Sequence, residues 1–416
     1  MKTSSLYTHY KKTLADTITP VSIYLKIRDK FPNSILLESS DYHASDNSFS
    51  YICFNPIASI KVDKDIIEQH YPDGSSKTNS ALNISVTEEI HKFTKRFKVN
   101  SDEEFKFINN GIFGYTAYDA VKYFEDIEIS KKPDSLDIPD IYYAVYQNII
   151  AINHFKNEAY VFAHCFDTEN NIDEVLQLIS SKNFASYTFK TDSDISSNLT
   201  DDEYKSRVDL AKKHCARGDV FQLVLSKKFS QTFKGDEFNV YRALRSINPS
   251  PYLFYFDYGD YRIMGSSPES QMVIGGGIAR LNPIAGTYRR TGDKAKDEAA
   301  TKELLADPKE NAEHVMLVDL ARNDLSRHTK KVKVKSLREV HYYSHVIHLV
   351  STVEGELDRT DQAVRIFGDT FPAGTLSGAP KYKVIELINK YENQQRGFYG
   401  GAIGLIDFAG GMNQAI

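Results

Sequence analysis

The chain has 416 residues, 41% hydrophobic and 26% charged, which is the composition of a soluble globular protein of about two to three domains. Its net charge of -5 and pI near 6.2 give no electrostatic basis for binding nucleic acid or an anionic membrane. No run reaches the roughly 18 apolar residues of a membrane span, and the N-terminus lacks the apolar segment of a signal peptide, so we expect a cytoplasmic protein. Three distant cysteines fit neither a disulfide framework nor a zinc site.

The first 185 residues predict a strand-rich α/β region. Asn55-Pro56 is predicted to be a turn between two strands, and Asp73-Gly74 a hairpin turn. Strands are expected at 34–39, 50–54, 58–62 and 111–118, a hairpin over 142–153 and 158–164, and a helix over 86–97. The polar, serine-rich residues 186–199 predict a linker.

A second region, 200–416, begins with a capping box in which Thr200 is the N-cap and Glu203 the third helical residue. Gly218 is expected to end this helix. A second helix begins with Asp307 as cap and Pro308 at its first position. Strands are expected at 221–226 and 340–354, with a tight turn over 265–269 that delivers the carboxylate of Glu269.

Several polar residues of this second region admit two interpretations. Glu310 and Glu313 share one face of the second helix, where Glu310 suits a capping role and Glu313 could hold Mg²⁺. His345 and His348 point to opposite faces of an extended strand, and His348 is either a structural residue or part of a site.

Glycine-rich turns at 283–287 and 371–380 could present backbone N–H groups and threonine hydroxyls to an anion, or be ordinary loops. From the residues alone, an enzyme and a non-enzymatic binding protein both remain open.

Five runs in order resemble the chorismate-binding enzyme family: PIAGT, KENAEHVMLVDLARNDLSR, YSHVIH, FPAGTLSGAPK and RGFYGGAIG. The resemblance covers nearly the whole chain. It implies an α+β fold, a two-layered sandwich of large, mostly antiparallel sheets flanked by helices. It also implies an N-terminal regulatory, tryptophan-binding region over 1–185 and a chorismate-binding catalytic domain over 200–416.

Two positions indicate which branch of the family the chain resembles. Gln222 stands where water-adding members carry a lysine, and a glutamine cannot act as a general base. Ala285 stands where aminodeoxychorismate synthases typically carry a nucleophilic lysine. Both favour direct attack by ammonia, as in the anthranilate synthase branch, with aminodeoxychorismate synthase as the alternative.

The resemblance also implies roles for individual residues. Glu269 matches the general acid, His348 the histidine of the pyruvate-eliminating stage, and Glu313 a Mg²⁺ ligand. Gly286, Thr287, Thr375 and Tyr399 match substrate-site residues. Ammonia is expected from a separate glutamine amidotransferase subunit.

A tryptophan effector site is implied by LLES and NPSPY, which resemble the runs that line it in feedback-regulated members. The residues matched are Leu37, Glu38, Ser39, Pro251, Tyr252 and Leu253. Phe49 stands where some members have a lysine, which puts the details of effector binding in question.

Beyond Ile416, the family continues with a strand carrying an arginine, a glycine-rich turn and a helix bearing a second Mg²⁺ glutamate. We therefore expect the chain as printed to fold poorly and to have little activity. An inactive fragment that binds only tryptophan or its partner subunit is the second alternative.

Overall fold

The computed structural model describes residues 3–39, 48–132, 136–359 and 363–416. The helices are α1 (Pro20–Ile27), α2 (Val86–Thr94), α3 (Ile172–Ser180), α4 (Asp201–Arg217), α5 (Phe238–Ile247), α6 (Lys294–Ala306), α7 (Pro308–Ser326), α8 (Ala363–Thr370), α9 (Gly374–Ser377) and α10 (Lys381–Tyr391), with a 3₁₀ turn at Tyr118–Tyr123. No helix in these ranges is long and apolar enough to cross a membrane.

The strands are β1 (Ser4–Leu14), β2 (Ile35–Glu38), β3 (Phe49–Asp63), β4 (Ile66–His70), β5 (Ser76–Ser80), β6 (Phe97–Asn100), β7 (Ile112–Thr116), β8 (Ile141–Asn153), β9 (Glu158–Cys165), β10 (Phe189–Thr191), β11 (Ser196–Ser197), β12 (Gln222–Leu223), β13 (Phe229–Ser230), β14 (Phe233–Gly235), β15 (Tyr252–Asp257), β16 (Arg262–Ser267), β17 (Ser270–Gly275), β18 (Ile278–Leu281), β19 (Ile284–Arg289), β20 (Lys330–Tyr342), β21 (Val346–Glu356), β22 (Gly378–Ala379), β23 (Ala402–Ile406) and β24 (Met412–Ala415).

The larger strands form two layers that share β3 and β8. The first layer has the order β16–β15–β2–β3–β8–β9–β1–β6. The second has the order β5–β4–β3–β8–β7–β23–β24–β17–β18–β21–β20, with β19 also on β21. Only β1 and β6 pair in parallel among the described ladders. The expected mostly antiparallel architecture is therefore confirmed.

One continuous strand, β3, replaces the two strands and the turn predicted at Asn55-Pro56. Asn55 has φ of 56°, and the register with β8 shifts between Pro56 and Ala58. A bulge of this kind bends a strand without ending it. β3 pairs with β2 before the bulge and with β4 after it, so it passes from the first layer into the second.

Apolar side chains from both layers meet in an inner core that includes Ile35, Cys53, Phe113 and Leu405. The outer face of the first layer packs against α1, α3 and α5. The outer face of the second packs against α2, α7, α8 and α10. Central strands such as β3 and β8 therefore alternate their side chains between the inner core and a helix-covered outer face.

The predicted division into two domains remains a prediction. Strands from either side of the proposed linker share a sheet, since β2 pairs with β15 and β7 with β23. The linker residues themselves include β10 and β11, which pair with β14 and β13, so 186–199 are not without regular structure.

Local predictions in the second region have mixed outcomes. The Thr200 capping box, the left-handed Gly218 and the Asp307 cap before Pro308 are confirmed. The strand predicted at 221–226 is shortened to β12. The strand predicted at 340–354 is wrong: β20 and β21 form a hairpin whose turn contains His345, because Tyr343 and Val346 close it by a backbone hydrogen bond.

Candidate active site

Glu269 lies in the turn between β16 and β17 and is the most perturbed acid of the site. Its side chain is buried, and its Oε1 accepts hydrogen bonds from the Thr375 hydroxyl (2.9 Å) and the Ile284 N–H (3.3 Å). Burial raises the pKa of Glu269 to about 8, although both hydrogen bonds act to lower it. At neutral pH the folded chain therefore holds this carboxyl mainly in its protonated form, which can donate a proton.

Thr375 and Tyr399 line the same cavity as Glu269, a space of about 330 Å³ between the two layers. Thr375 stands in the short helix α9, whose first turn directs the hydroxyl at the carboxyl. The Tyr399 side chain is 44% exposed. The cavity walls are largely apolar, with a carboxyl and a hydroxyl on one side, as expected for a small-molecule site.

Gln222 and Glu313 form a second group, in which a residue of β12 contacts a residue of α7. Gln222 lies in β12, which is fixed by pairing with β22, and its Nε2 donates to Glu313 Oε1 at 2.9 Å. Because a carboxylate can only accept here, the orientation of the amide is settled. Gln222 Oε1 is buried and has no hydrogen-bond partner among the described residues. It is an acceptor available to an N–H donor.

Gly286, Thr287 and His348 form a third group on the paired strands β19 and β21. Gly286 has φ of 80° at the register shift, and a Cβ there would come within 3.2 Å of Leu349 and 3.3 Å of Leu304. A glycine is favoured at this position because φ is left-handed and the space beside it is tight.

His348 Nδ1 lies 3.3 Å from the Gly286 carbonyl and 3.0 Å from the Thr287 hydroxyl. A carbonyl only accepts, so Nδ1 carries the hydrogen and Nε2 keeps its lone pair. Burial lowers the pKa of His348, which keeps the ring neutral and able to take a proton. His345 is not its strand neighbour as expected, since it lies in the hairpin turn and its Nε2 donates to the Ile247 carbonyl.

Glu310 does not take the capping role predicted for it. Asp307 alone accepts the N–H groups of Lys309 and Glu310, whereas the Glu310 carboxylate accepts the Thr287 N–H at 3.2 Å. The described residues contain no group of three or more His, Cys, Asp or Glu that could hold a metal. Glu313 supplies carboxylate oxygens of the kind that Mg²⁺ prefers, and Gln222 engages one of them.

The predicted effector residues come together on β2 and β15, where Glu38 pairs with Leu253. Glu38 is buried and accepts from Tyr241 (2.6 Å) and Arg245 (2.8 Å). Pro251 and Tyr252 line a second cavity, about 250 Å³, which also reaches Glu269. Leu37 and Ser39 flank Glu38 on β2 and just beyond its end. Two of the six predicted effector residues, Pro251 and Tyr252, thus share a cavity with the acid.

Two site residues were missed from the sequence. His314 is buried on α7, with Nδ1 donating to the Ala285 carbonyl (3.2 Å) and Nε2 accepting from Ser351 (2.6 Å). Arg396 is buried beside α9 and β12. A histidine or arginine at a position that should be buried was the available signal, but the sequence does not show what lies across from it.

Comparison with known proteins gives consistent results. The family model described as chorismate binding enzyme matches residues 33–416. Anthranilate synthase component 1 of Aquifex aeolicus is 37% identical over 98% of this chain and 85% of the relative. That of Lactococcus lactis is 34% identical over 98% of this chain and 89% of the relative. The crystal structure of anthranilate synthase component I from Streptococcus pneumoniae superposes with a TM-score of 0.73 at 29% identity, covering 98% of this chain and 90% of that one.

Proposed function

The chain belongs to the chorismate-binding enzyme family, and from this we propose that it aminates chorismate with ammonia and eliminates pyruvate to give anthranilate, the first step of tryptophan synthesis. Three side chains are proposed to carry the chemistry: the carboxyl of Glu269, the amide of Gln222 and the imidazole of His348.

The unpartnered Oε1 of Gln222 is the observation that carries this proposal. The amide nitrogen donates to Glu313, which leaves the oxygen as a buried acceptor without a hydrogen-bond partner among the described residues. An amide cannot deprotonate water, but ammonia needs no base before it attacks. Ala285 is likewise unable to form a covalent intermediate. Gln222 and Ala285 together favour ammonia as the direct nucleophile.

In the first stage a C–N bond forms between ammonia and the chorismate ring while a C–O bond to the ring hydroxyl breaks. Glu269 donates its proton to that hydroxyl, which leaves as water, and the raised pKa of Glu269 supports this role at neutral pH. The ammonium group formed on the ring then loses a proton.

In the second stage a ring C–H proton leaves, its electron pair completes the aromatic ring, and the C–O bond between the ring and the enolpyruvyl group breaks. The departing enolate takes up a proton at its methylene carbon and becomes pyruvate. His348 Nε2 keeps the lone pair needed to take that proton, because Nδ1 faces the Gly286 carbonyl. Gly286 and Thr287 are proposed to contact the substrate with a backbone group and a hydroxyl.

Mg²⁺ is proposed as the cofactor, held by the Glu313 carboxylate, where it neutralises a substrate carboxylate when bound. The oxygen-only chemistry of Glu313 fits a hard cation. Gln222 fixes one carboxylate oxygen, which orients the other.

A glutamine amidotransferase subunit is the proposed source of ammonia, tryptophan the proposed effector, and the cytoplasm the proposed location. The effector proposal rests on Glu38, which faces Leu253 across β2 and β15. Aminodeoxychorismate synthase is the alternative activity, and a non-catalytic role in binding tryptophan or the partner subunit is the other.

The test incubates the purified chain with chorismate, Mg²⁺ and ammonium and follows anthranilate fluorescence. Anthranilate with equimolar pyruvate is the expected result, whereas a 4-amino product would overturn the assignment. Tryptophan binding without turnover would favour the non-catalytic role.

Gln222→Lys tests the choice of nucleophile, with Gln222→Met as a control of similar size that has no base. The lysine variant is expected to add water at the expense of ammonia, and the methionine variant to lose rate without adding water. An unchanged preference for ammonia in the lysine variant would contradict the argument.

A further inference from the structure

Arg396 is the most deeply enclosed charge beside the candidate site, with 1% of its side chain exposed, and its partner Glu392 has 4%. Nε donates to Glu392 Oε2 at 3.0 Å and Nη2 to Oε1 at 2.7 Å. An ion pair this buried costs free energy to desolvate unless its remaining donors are also satisfied. The remaining N–H donors of the Arg396 guanidinium therefore need acceptors of their own.

The other donors of Arg396 reach two backbone carbonyls in different segments. Nη1 donates to the Leu376 carbonyl and Nη2 to the Val224 carbonyl, each at 2.7 Å. Leu376 lies in the four-residue helix α9, whose carbonyls have too few helical partners, and Val224 lies just past the two-residue strand β12. Neither segment is long enough to fix itself.

Glu392 adds a third connection, because its Oε1 also accepts the Ser226 N–H at 2.7 Å. The Arg396 guanidinium lies 5.7 Å from the centre of the Tyr399 ring and 4.7 Å from that of Tyr118. The pair therefore contacts all three short segments that contribute Gln222, Thr375 and Tyr399.

We propose that Arg396 and Glu392 are positioning residues, which set the placement of Gln222, Thr375 and Tyr399 relative to one another without touching substrate. The planar guanidinium suits this task because its fixed fork joins a carboxylate and two carbonyls in one plane, which a lysine ammonium cannot do. The role in catalysis rests on the proposed function of the site.

Arg396→Lys keeps the charge and loses the fork, and Glu392→Gln keeps the volume and loses one acceptor. Both are expected to lower kcat by about 10- to 100-fold with a smaller change in KM, since a misplacement near 1 Å costs about that much. The alkaline limit of activity should also move upward, because displacing Thr375 removes a hydrogen bond that lowers the pKa of Glu269.

Arg28→Lys is the matched control. Arg28 is 9% exposed and makes a two-pronged ion pair with Asp236, at 2.8 and 2.7 Å, away from Glu269 and Thr375. It is expected to lower the melting temperature while leaving kcat and the pH profile unchanged. Equal effects in the Arg28 and Arg396 variants would reduce the Arg396 pair to a purely stabilising role and overturn the proposal.

A crystal structure of Glu392→Gln, the milder variant, gives a readout that does not depend on turnover. Displacement of the Thr375 hydroxyl from Glu269 or of the Gln222 amide from Glu313 supports the proposal, and unchanged positions with parental kcat overturn it. If the parent chain makes no anthranilate, the proposed function fails, while the structural comparison still tests the positioning role.

Discussion

Thr375 donates a 2.9 Å hydrogen bond to Glu269 across a separation of 106 residues, and this contact joins a turn of the sheet to the short helix α9. From Glu269 the contacts continue through the Ile284 N–H to β19, which carries Gly286 and Thr287. The acid and the strand proposed to contact substrate are thus one connected unit, so a change in either should appear in the protonation of Glu269.

The first prediction concerns the pH dependence set by Glu269. Because the protonated form is the proton donor, activity should fall as the pH rises through about 8. Glu269→Gln should lower kcat roughly a hundredfold or more, because an amide cannot donate a proton to the leaving hydroxyl. Steady-state rates from pH 6 to about 9.5 check this, and an alkaline limit that persists in residual Glu269→Gln activity would assign it to another group.

Glu269 should also make the free energy of unfolding depend on pH. Its pKa is raised in the folded state above the ordinary 4.5, so its contribution to stability is complete below 4.5 and is lost as the pH rises toward about 8. Glu269→Gln removes this proton linkage. Urea unfolding at several pH values should therefore show a smaller fall in stability for the variant between pH 5 and about 8.

The second prediction isolates the Thr375 hydroxyl. Thr375→Val removes a hydrogen bond that lowers the pKa of Glu269, so the alkaline limit should move upward by up to about one pH unit, which corresponds to one ordinary hydrogen bond. Thr375→Ser keeps the hydroxyl and should retain the parental profile. A downward shift in Thr375→Val would show that the hydroxyl stabilises the neutral acid instead.

The third prediction separates two glutamates one helical turn apart. Glu313→Gln should raise the Mg²⁺ concentration needed for half-maximal activity by about 10-fold or more, since an amide is a weaker ligand than a carboxylate. Glu310→Gln should leave that concentration unchanged, because its carboxylate accepts the Thr287 N–H. Titrating chelator-treated protein with Mg²⁺ gives both values, and equal shifts in the two variants would make Glu310 a ligand as well.

The fourth prediction concerns tryptophan. Micromolar tryptophan should inhibit the parent, and Glu38→Gln should raise the inhibitory concentration about 10-fold or more, because it removes the charge that holds Tyr241 and Arg245. Glu237→Gln is the control, since Glu237 also accepts from a tyrosine, Tyr255, and pairs with an arginine, Arg262. Tryptophan that neither binds nor inhibits would show that the effector interpretation of Glu38 is wrong.

Features of the fold were predictable from the sequence where the residues that determine them lie close together in the chain. The helix starts at Thr200 and Asp307 were predictable because a cap and its N–H partners lie within one turn. Asn55-Pro56 was predicted as a turn but forms a bulge within a strand, and 343–345 was predicted as strand but forms a hairpin turn. The same residue types occur in both structures at each site. The neighbouring strands decide which of the two structures forms, and those strands come from distant parts of the chain.

The site shows the same limit. Glu269, Thr375 and Gln222 were named from motifs, and the structure places Glu269 and Thr375 within hydrogen-bond distance. The buried pair of Arg396 and Glu392 was not predicted, because its function depends on two carbonyls contributed by remote segments. Backbone acceptors have no sequence signature, so residues that position others through them are visible only once the chain is folded.

The fifth prediction compares two histidines three residues apart. Burial lowers the pKa of His348, so the ring stays neutral at pH values where a free histidine is protonated, and activity should be lost only as the pH falls below about 6.5, the ordinary value. His348→Asn should lower pyruvate release by roughly a hundredfold or more, because the lone pair that takes the ring proton is gone. An aminated intermediate should then accumulate, detectable by chromatography of quenched reactions. His345→Asn is the control, since His345 is exposed in the turn and its side chain lies against the Ile247 carbonyl, away from Gly286 and Thr287. Equal losses of pyruvate release in both variants would remove His348 from the second stage.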